Sequence, residues 1–103
     1  MANVTRTTQA EEARIAIWQH IAKHNEAAAD RLILRIDDRC QLYAESPLLG
    51  DVREDLGPDI RRFHVGSYEV LYRPVKGGNM VLLVIHAARD LLSVYRDLYG
   101  NDE

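Results

Sequence analysis

Apolar positions recur at helical spacing through the first half of this chain and at alternate positions through the second. In "TRTTQAEEARIAIWQHIAKHN", Ala13, Ile17 and Ile21 stand four apart, with Trp18 and Ala22 beside them, so the run predicts an amphipathic helix. Thr8 with Glu11 three residues on has capping-box spacing and sets the predicted start. Asn25 reads as the cap of a second helix, whose stripe Ala29, Leu32, Ile33, Ile36, Cys40 and Tyr43 ends at Ser46-Pro47. A join this short predicts an antiparallel helical hairpin.

"ESPLLGDVREDLGPD" holds two prolines and two glycines and has no period. The pattern then changes to alternation. "IRRFHV" and "YEVLYRPV" read as strands joined by a two-residue turn at Gly66-Ser67, with Tyr68, Val70 and Tyr72 on one face. After the turn "KGGN", "MVLLVIH" is apolar at consecutive positions, as in a central strand covered on both faces. Leu91, Val94, Tyr95 and Leu98 give the tail a short helical stripe, and a first strand at Asn3 to Arg6 is weakly signalled. The predicted fold class is α+β. An N-terminal helical hairpin packs on a three- to four-stranded, mainly antiparallel sheet with a short C-terminal helix or tail, all within one domain spanning 1–103.

Composition narrows the function classes. A chain of 103 residues has room for one modest core. No apolar run approaches the roughly 18–20 residues that span a bilayer, and the N-terminus lacks the apolar stretch of a signal peptide, so the expected location is cytoplasmic. The lone Cys40 excludes an internal disulfide and a cysteine-based zinc site, and its place in a helical stripe predicts a packing role. Net charge is −3, which speaks against nucleic-acid binding by the molecule as a whole and against direct sequence-specific recognition. Charge is uneven, however: Arg61 to Arg96 holds six basic and two acidic residues, so the C-terminal third can present a cationic face. Arginine outnumbers lysine eleven to two, which suits bidentate pairing with carboxylate or phosphate and structural ion pairs equally.

Candidate chemistry is sparse. No nucleophile–base set, phosphate loop or paired metal-ligand motif can be read from spacing, so no cofactor, metal or catalytic set is assigned. His20 and His24 stand four apart on one helix, a spacing that binds metal only with further ligands; a solvated face is the simpler reading. His64 is expected at the surface of its strand. His86 ends the apolar strand near Arg89, where it either closes the strand end by a hydrogen bond or acts as an acid–base group. Arg61 shares a strand side with Phe63 and Val65, so its stem is expected over the core edge with its guanidinium on a carboxylate; Arg62 faces the other way with His64. Tyr95, Tyr99, Leu91, Leu92 and Leu98 put much apolar surface in the tail, either folded back or awaiting a partner.

The order of motifs resembles the ParE/RelE superfamily of bacterial toxin–antitoxin modules, and the ParE branch within it. The resemblance is carried by "WQHIAKHNEAAADR", by Pro47 and Gly50 in "SPLLG", by Phe63 in "RRFHVGSYEVLYRP" and by His86, Arg89 and Asp90 in "VLLVIHAARD". It implies a toxin of a plasmid-stabilising type II module, neutralised by a cognate antitoxin whose C-terminal segment wraps the helices and sheet. Antitoxin contacts are then expected at Trp18, Leu32, Ile36, Tyr68 and Tyr72. ParE members inhibit DNA gyrase, which implies target contacts at Arg61, Arg62, His86, Arg89, Tyr95 and Leu98.

The resemblance also implies an alternative, the RelE-type ribosome-dependent messenger endoribonuclease, with Arg62, Arg89 and Tyr95 as its working residues. Glu69 stands where RelE-type enzymes carry an arginine, and a carboxylate there would repel the scissile phosphate. A toxin that retains only antitoxin binding is a third reading. Arg89 and Asp90 are expected to fix the exit from the last strand as an ion pair, and a groove along Leu32 and Ile36 is expected to lie open until a partner covers it.

Overall fold

The computed structural model describes residues 2–100; Met1 and residues 101–103 of the expected 1–103 domain lie outside the described residues. The elements in chain order are β1 (Asn3–Arg6), α1 (Thr8–Ala22), α2 (Glu26–Glu45), β2 (Asp51–Val52), β3 (Arg61–Val65), β4 (Tyr68–Val75), β5 (Gly78–His86) and α3 (Leu91–Tyr99). The α+β class and both terminal helical features are as expected. The sheet has five strands in the order β1-β5-β4-β3-β2, more than the three or four expected. The weakly signalled first strand is present and pairs parallel to β5, while all other pairs are antiparallel. The two-residue β2 sits in the aperiodic loop, too short and too exposed to leave an alternating pattern.

Local chemistry explains the element ends. The cap of α1 is Thr7, whose side chain accepts from the Ala10 N–H, one residue earlier than the spacing Thr8–Glu11 implied. Asn25 caps α2 as expected, accepting from the Ala28 N–H at 3.0 Å. Gly66 takes φ 57° as first residue of the turn between β3 and β4, where the strand twist needs a positive φ.

The hairpin α1–α2 lies on one sheet face. Its core comprises Ala10, Ile36, Cys40, Phe63, Val65, Val70, Tyr72, Val81 and Val84. The other face is closed by α3 and the loop before β3, around Ile60, Leu71, Leu82, Leu83, Ile85, Leu91 and Tyr95. A register shift lies opposite Leu71 and Tyr72: Leu71 pairs with Leu83 and Tyr72 with Val81, leaving Leu82 as an extra residue in β5. That bulge explains why Val81 and Val84 share a face although three apart, and why Leu82 and Leu83 both turn to the other. The consecutive apolar run is thereby consumed on two faces at once.

Two ties shape the hairpin. Asp37 of α2 accepts from Arg14 Nε at 3.0 Å and from an Arg6 nitrogen at 3.2 Å, with Glu11 3.6 Å from Arg14. The carboxylate raises the Arg14 pKa above its ordinary value, chiefly through that hydrogen bond. At the far end Trp18 Nε1 donates to Asp30 at 2.8 Å.

Candidate functional site

The C-terminal half of α1 crosses the sheet where β4 begins and β5 ends. Ala13, Ala16, Ile17 and His20 form a stripe at i, i+3, i+4 and i+7 facing that corner. Opposite them, the pairing of Tyr68 with His86 sets the two rings edge to face, their centroids 5.1 Å apart. Between helix and strand ends lies an open groove of about 420 Å³, closed at its tip by Arg89. Its apolar lining is Ala13, Ala16, Ile17, Val84 and Ile85, and its polar lining consists of His20, Tyr68, His86 and Arg89. Among the described residues, no acidic side chain lines it.

Backbone hydrogen bonds fix the groove's tip. The Ala87 N–H donates to the Ser67 carbonyl at 2.8 Å and the Arg89 N–H to the His86 carbonyl at 3.0 Å. The Ala88 N–H donates to His86 Nδ1 at 3.0 Å. A nitrogen that accepts cannot hold the ring proton, so the neutral imidazole carries it on Nε2 and offers a donor. This is the strand-closing bond, one of the two expectations for His86.

The expected ion pair between Arg89 and Asp90 is absent among the described residues. Asp90 instead caps α3, accepting from the Ser93 N–H at 3.3 Å. An N-cap carboxylate satisfies a helix donor and favours the dipole, a stronger local demand than an exposed pair with its neighbour. Arg89 has no carboxylate partner among the described residues, and its side chain is exposed.

The other proposed working residues are not gathered here. Arg62 lies on the opposite sheet face, 3.5 Å from the carboxylate of Glu69, which is itself buried. Arg62 Nε is buried without a hydrogen-bond partner among the described residues. Tyr95 is also on that face, 8% exposed, and burial pushes its hydroxyl pKa up, partly opposed by Arg73. It packs on Tyr99, whose hydroxyl donates to the Leu82 carbonyl at 2.6 Å. Leu98 remains at the surface, 40% exposed.

Arg61 keeps its stem on the hairpin side, but its guanidinium bonds the carbonyls of Leu48 and Gly50, at 3.1 and 3.0 Å, rather than the expected carboxylate. The loop "SPLLG" turns its carbonyls inward as a short 3-10 turn, so backbone oxygen is what lies within reach. Among the expected antitoxin contacts, Tyr68 lines the groove, Trp18 is half-buried on the hairpin and Leu32 is half-buried beside the core. Ile36 and Tyr72 are enclosed, at 1% and 0% exposure, and present no surface. The expected open groove along Leu32 and Ile36 is therefore filled by the sheet. Sequence reasoning did not assign Ala16 to a site and read His20 as part of a solvated helix face, yet both line the groove. Their signal was the i, i+3, i+4, i+7 stripe with Ala13 and Ile17, half of it small side chains. His64 is exposed, as expected, and among the described residues no cluster of three or more histidine, cysteine or acidic side chains could hold a metal.

The family described as the ParE toxin of the type II toxin–antitoxin system parDE matches residues 4–91. Among solved structures, a chain of the "Chromosomal ParDE TA system from P. aeruginosa" superposes with a TM-score of 0.68 at 16% identity, covering 84% of this chain and 96% of that one. At that identity the likeness is one of fold. No curated protein matches.

Proposed function

The chain belongs to the ParE toxin family of type II toxin–antitoxin systems, and on that premise we propose that it disables DNA gyrase by binding it, is neutralised by a cognate antitoxin and acts in the cytoplasm. One observation carries the choice of a binding mode over messenger cleavage: the residues that cleavage would need are divided between two faces of the sheet. Arg89 stands at the groove, while Arg62 and Tyr95 lie on the opposite face. Arg62 already has a carboxylate partner in Glu69, and Tyr95 is packed against apolar side chains. Stabilising a phosphate in cleavage requires cations converging where charge develops, and a nearby carboxylate opposes that.

An inhibitor that works by contact needs instead exposed groups on a rigid frame. Arg89 at the groove tip and Leu98 on the outer side of α3 meet that requirement, with Tyr95 fixing the helix beneath Leu98. Relaxed plasmid incubated with gyrase and the purified chain tests the reading, with a ribosome-programmed messenger as the parallel reaction. The expected result is loss of supercoiling with cleaved DNA accumulating and the message intact. Codon-positioned message cuts with normal supercoiling would instead establish the endoribonuclease.

A further inference from the structure

We infer that the free edge of the sheet at β2 pairs with the same edge of a second copy of this chain, the two β2 strands running antiparallel about a two-fold axis at Val52.

Backbone direction comes first. β2 is the last strand of the sheet, so its outer side has no neighbouring strand. Asp51 stands opposite Arg62 and Val52 opposite Arg61, and the Arg53 N–H extends the ladder by donating to the Ile60 carbonyl at 2.8 Å. Backbone groups of successive residues in an antiparallel pair point to opposite sides of the strand. With Arg53 directed inward, the N–H and C=O of Val52 point outward. A donor and an acceptor on one residue are what a two-fold contact needs, because each Val52 N–H then donates to the Val52 carbonyl of the other copy. The opposite edge is guarded. There Gln41 of α2 donates to the Ala2 carbonyl at 3.0 Å, and Arg6 is tied to Asp37 at 3.2 Å.

Side chains fit the same register. Pairing centred on Val52 sets Asp51 of one copy opposite Arg53 of the other, twice by symmetry, on the sheet face that carries Arg62. Asp51 is exposed and has no cation within 4.0 Å among the described residues. Arg53 gives Nε and one terminal nitrogen to Asp55, at 2.9 and 2.8 Å, which leaves Nη1 for a second carboxylate. A register centred on Asp51 or on Arg53 would oppose like charges instead. On the other face, Val52 is exposed, and Arg61 draws the neighbouring turn to that side through the Leu48 and Gly50 carbonyls. Leu48 and Leu49 of that turn are 71% and 63% exposed, so apolar surface adjoins the edge. Soluble proteins blunt sheet edges with lysine, proline, a bulge, a covering element or shortness, and β2 has only the last. So short a strand makes the contact small and the association concentration-dependent. The groove beside Arg89 has no lining residue from β2 or its flanking turns among the described residues, so each copy of the pair keeps it open.

Sedimentation velocity of the full chain over a series from about 1 to 500 μM tests this, with circular dichroism checking that each variant is folded. The expected result is a monomer–dimer equilibrium. Val52→Pro removes the outward N–H and spares the inward ladder, since an edge strand tolerates proline where the N–H faces solvent. It should weaken association about tenfold to a hundredfold, for two lost hydrogen bonds. Asp51→Arg sets arginine against arginine twice and should weaken it about tenfold. Combining Asp51→Arg with Arg53→Asp restores opposite charges in the same register and should return association to within about threefold of the unmodified chain. Val52→Cys should give a disulfide-linked dimer on mild oxidation, because facing residues of a hydrogen-bonded antiparallel pair have Cα atoms about 5.5 Å apart. Asp51→Cys, which faces Arg53 and not itself, should not; the native Cys40 is buried and does not compete. A chain that stays monomeric throughout would overturn the inference. So would a dimer indifferent to Val52→Pro, which would place the contact on another face. Equal crosslinking by the two cysteine variants, or no rescue by the combined charge exchange, would overturn the two-fold register.

Discussion

Tyr72 explains, at the scale of single residues, why two separated stretches of this sequence belong together. Its hydroxyl donates to the Pro47 carbonyl and accepts from the Gly50 N–H at 3.0 Å, while its ring packs against Tyr43 and Phe63. A Cβ on Gly50 would sit 2.3 Å from that hydroxyl, so only glycine fits. Tyr72→Phe should cost about 1–3 kcal/mol, the penalty for leaving buried groups unpaired, and Gly50→Ala should cost more because the ring itself must move. Urea unfolding of the two variants would show this ordering. Cys40 gives a pH dependence. Burial raises its thiol from 9.0 to about 11. Because the folded value lies above the unfolded one, this contribution is complete below pH 9 and is lost as pH rises toward 11. The loss is roughly 3 kcal/mol by linkage, and Cys40→Ala should flatten that part of the stability curve.

Among the elements, α3 is the one for which the sequence left two readings, a tail folded back on the core or one awaiting a partner. Leu91 and Tyr95 are buried against Leu71, Leu82, Leu83 and Ile85, and Tyr99 bonds the Leu82 carbonyl, so the tail is folded back. Truncation after Asp90 should therefore cost about 4 kcal/mol at two buried side chains, out of a total near 5–15 kcal/mol, and thermal unfolding would detect it. A change that spares packing is the better test of target contact. Leu98→Asp, at a position 40% exposed, should leave the melting temperature within a few degrees and weaken gyrase inhibition. In the hairpin, Asp37→Asn removes the negative charge shared by Arg6 and Arg14 and replaces one of its two acceptor oxygens by an amide donor, and should destabilise by about 1–3 kcal/mol, measured by chemical denaturation.

The whole molecule brings together residues that no local pattern joins. His20 on α1, Tyr68 at the start of β4 and Arg89 after β5 meet at one corner because α1 crosses the sheet there and the Tyr68–His86 pairing closes it. The same arrangement separates Arg62 and Tyr95 from Arg89, which the RelE-type alternative implied by the resemblance had grouped. At this scale the gyrase assay should respond to Arg89→Gln or Leu98→Asp and be indifferent to His64→Ala, an exposed change on the sheet's other face. Equal loss from all three would mean that inhibition follows stability and not contact.

Much of the fold was legible because its signals are local. The stripe from Ala29 to Tyr43, the Asn25 cap, the Gly66-Ser67 turn and the alternation of β4 each depend on residues within a few positions of one another. The α+β class and the family resemblance followed from their order. Features that depend on partners far along the chain were beyond that reading. β1 was only weakly signalled over its four residues, and its parallel pairing to β5 was not readable at all; Leu82 becomes an extra residue only once β4 lies beside it. The site divides in the same way. The sequence identified His86 and Arg89 as chemistry at a strand end, and it carried Ala13 and Ile17 as a helical stripe. Only the tertiary structure decided that these face each other across a groove, that Ile36 and Tyr72 are sealed within the core, and that Asp90 serves its own helix. Burial and pairing between distant segments set those outcomes, because a side chain's partner is determined by what packing brings within a few ångströms, not by what stands next to it in the chain.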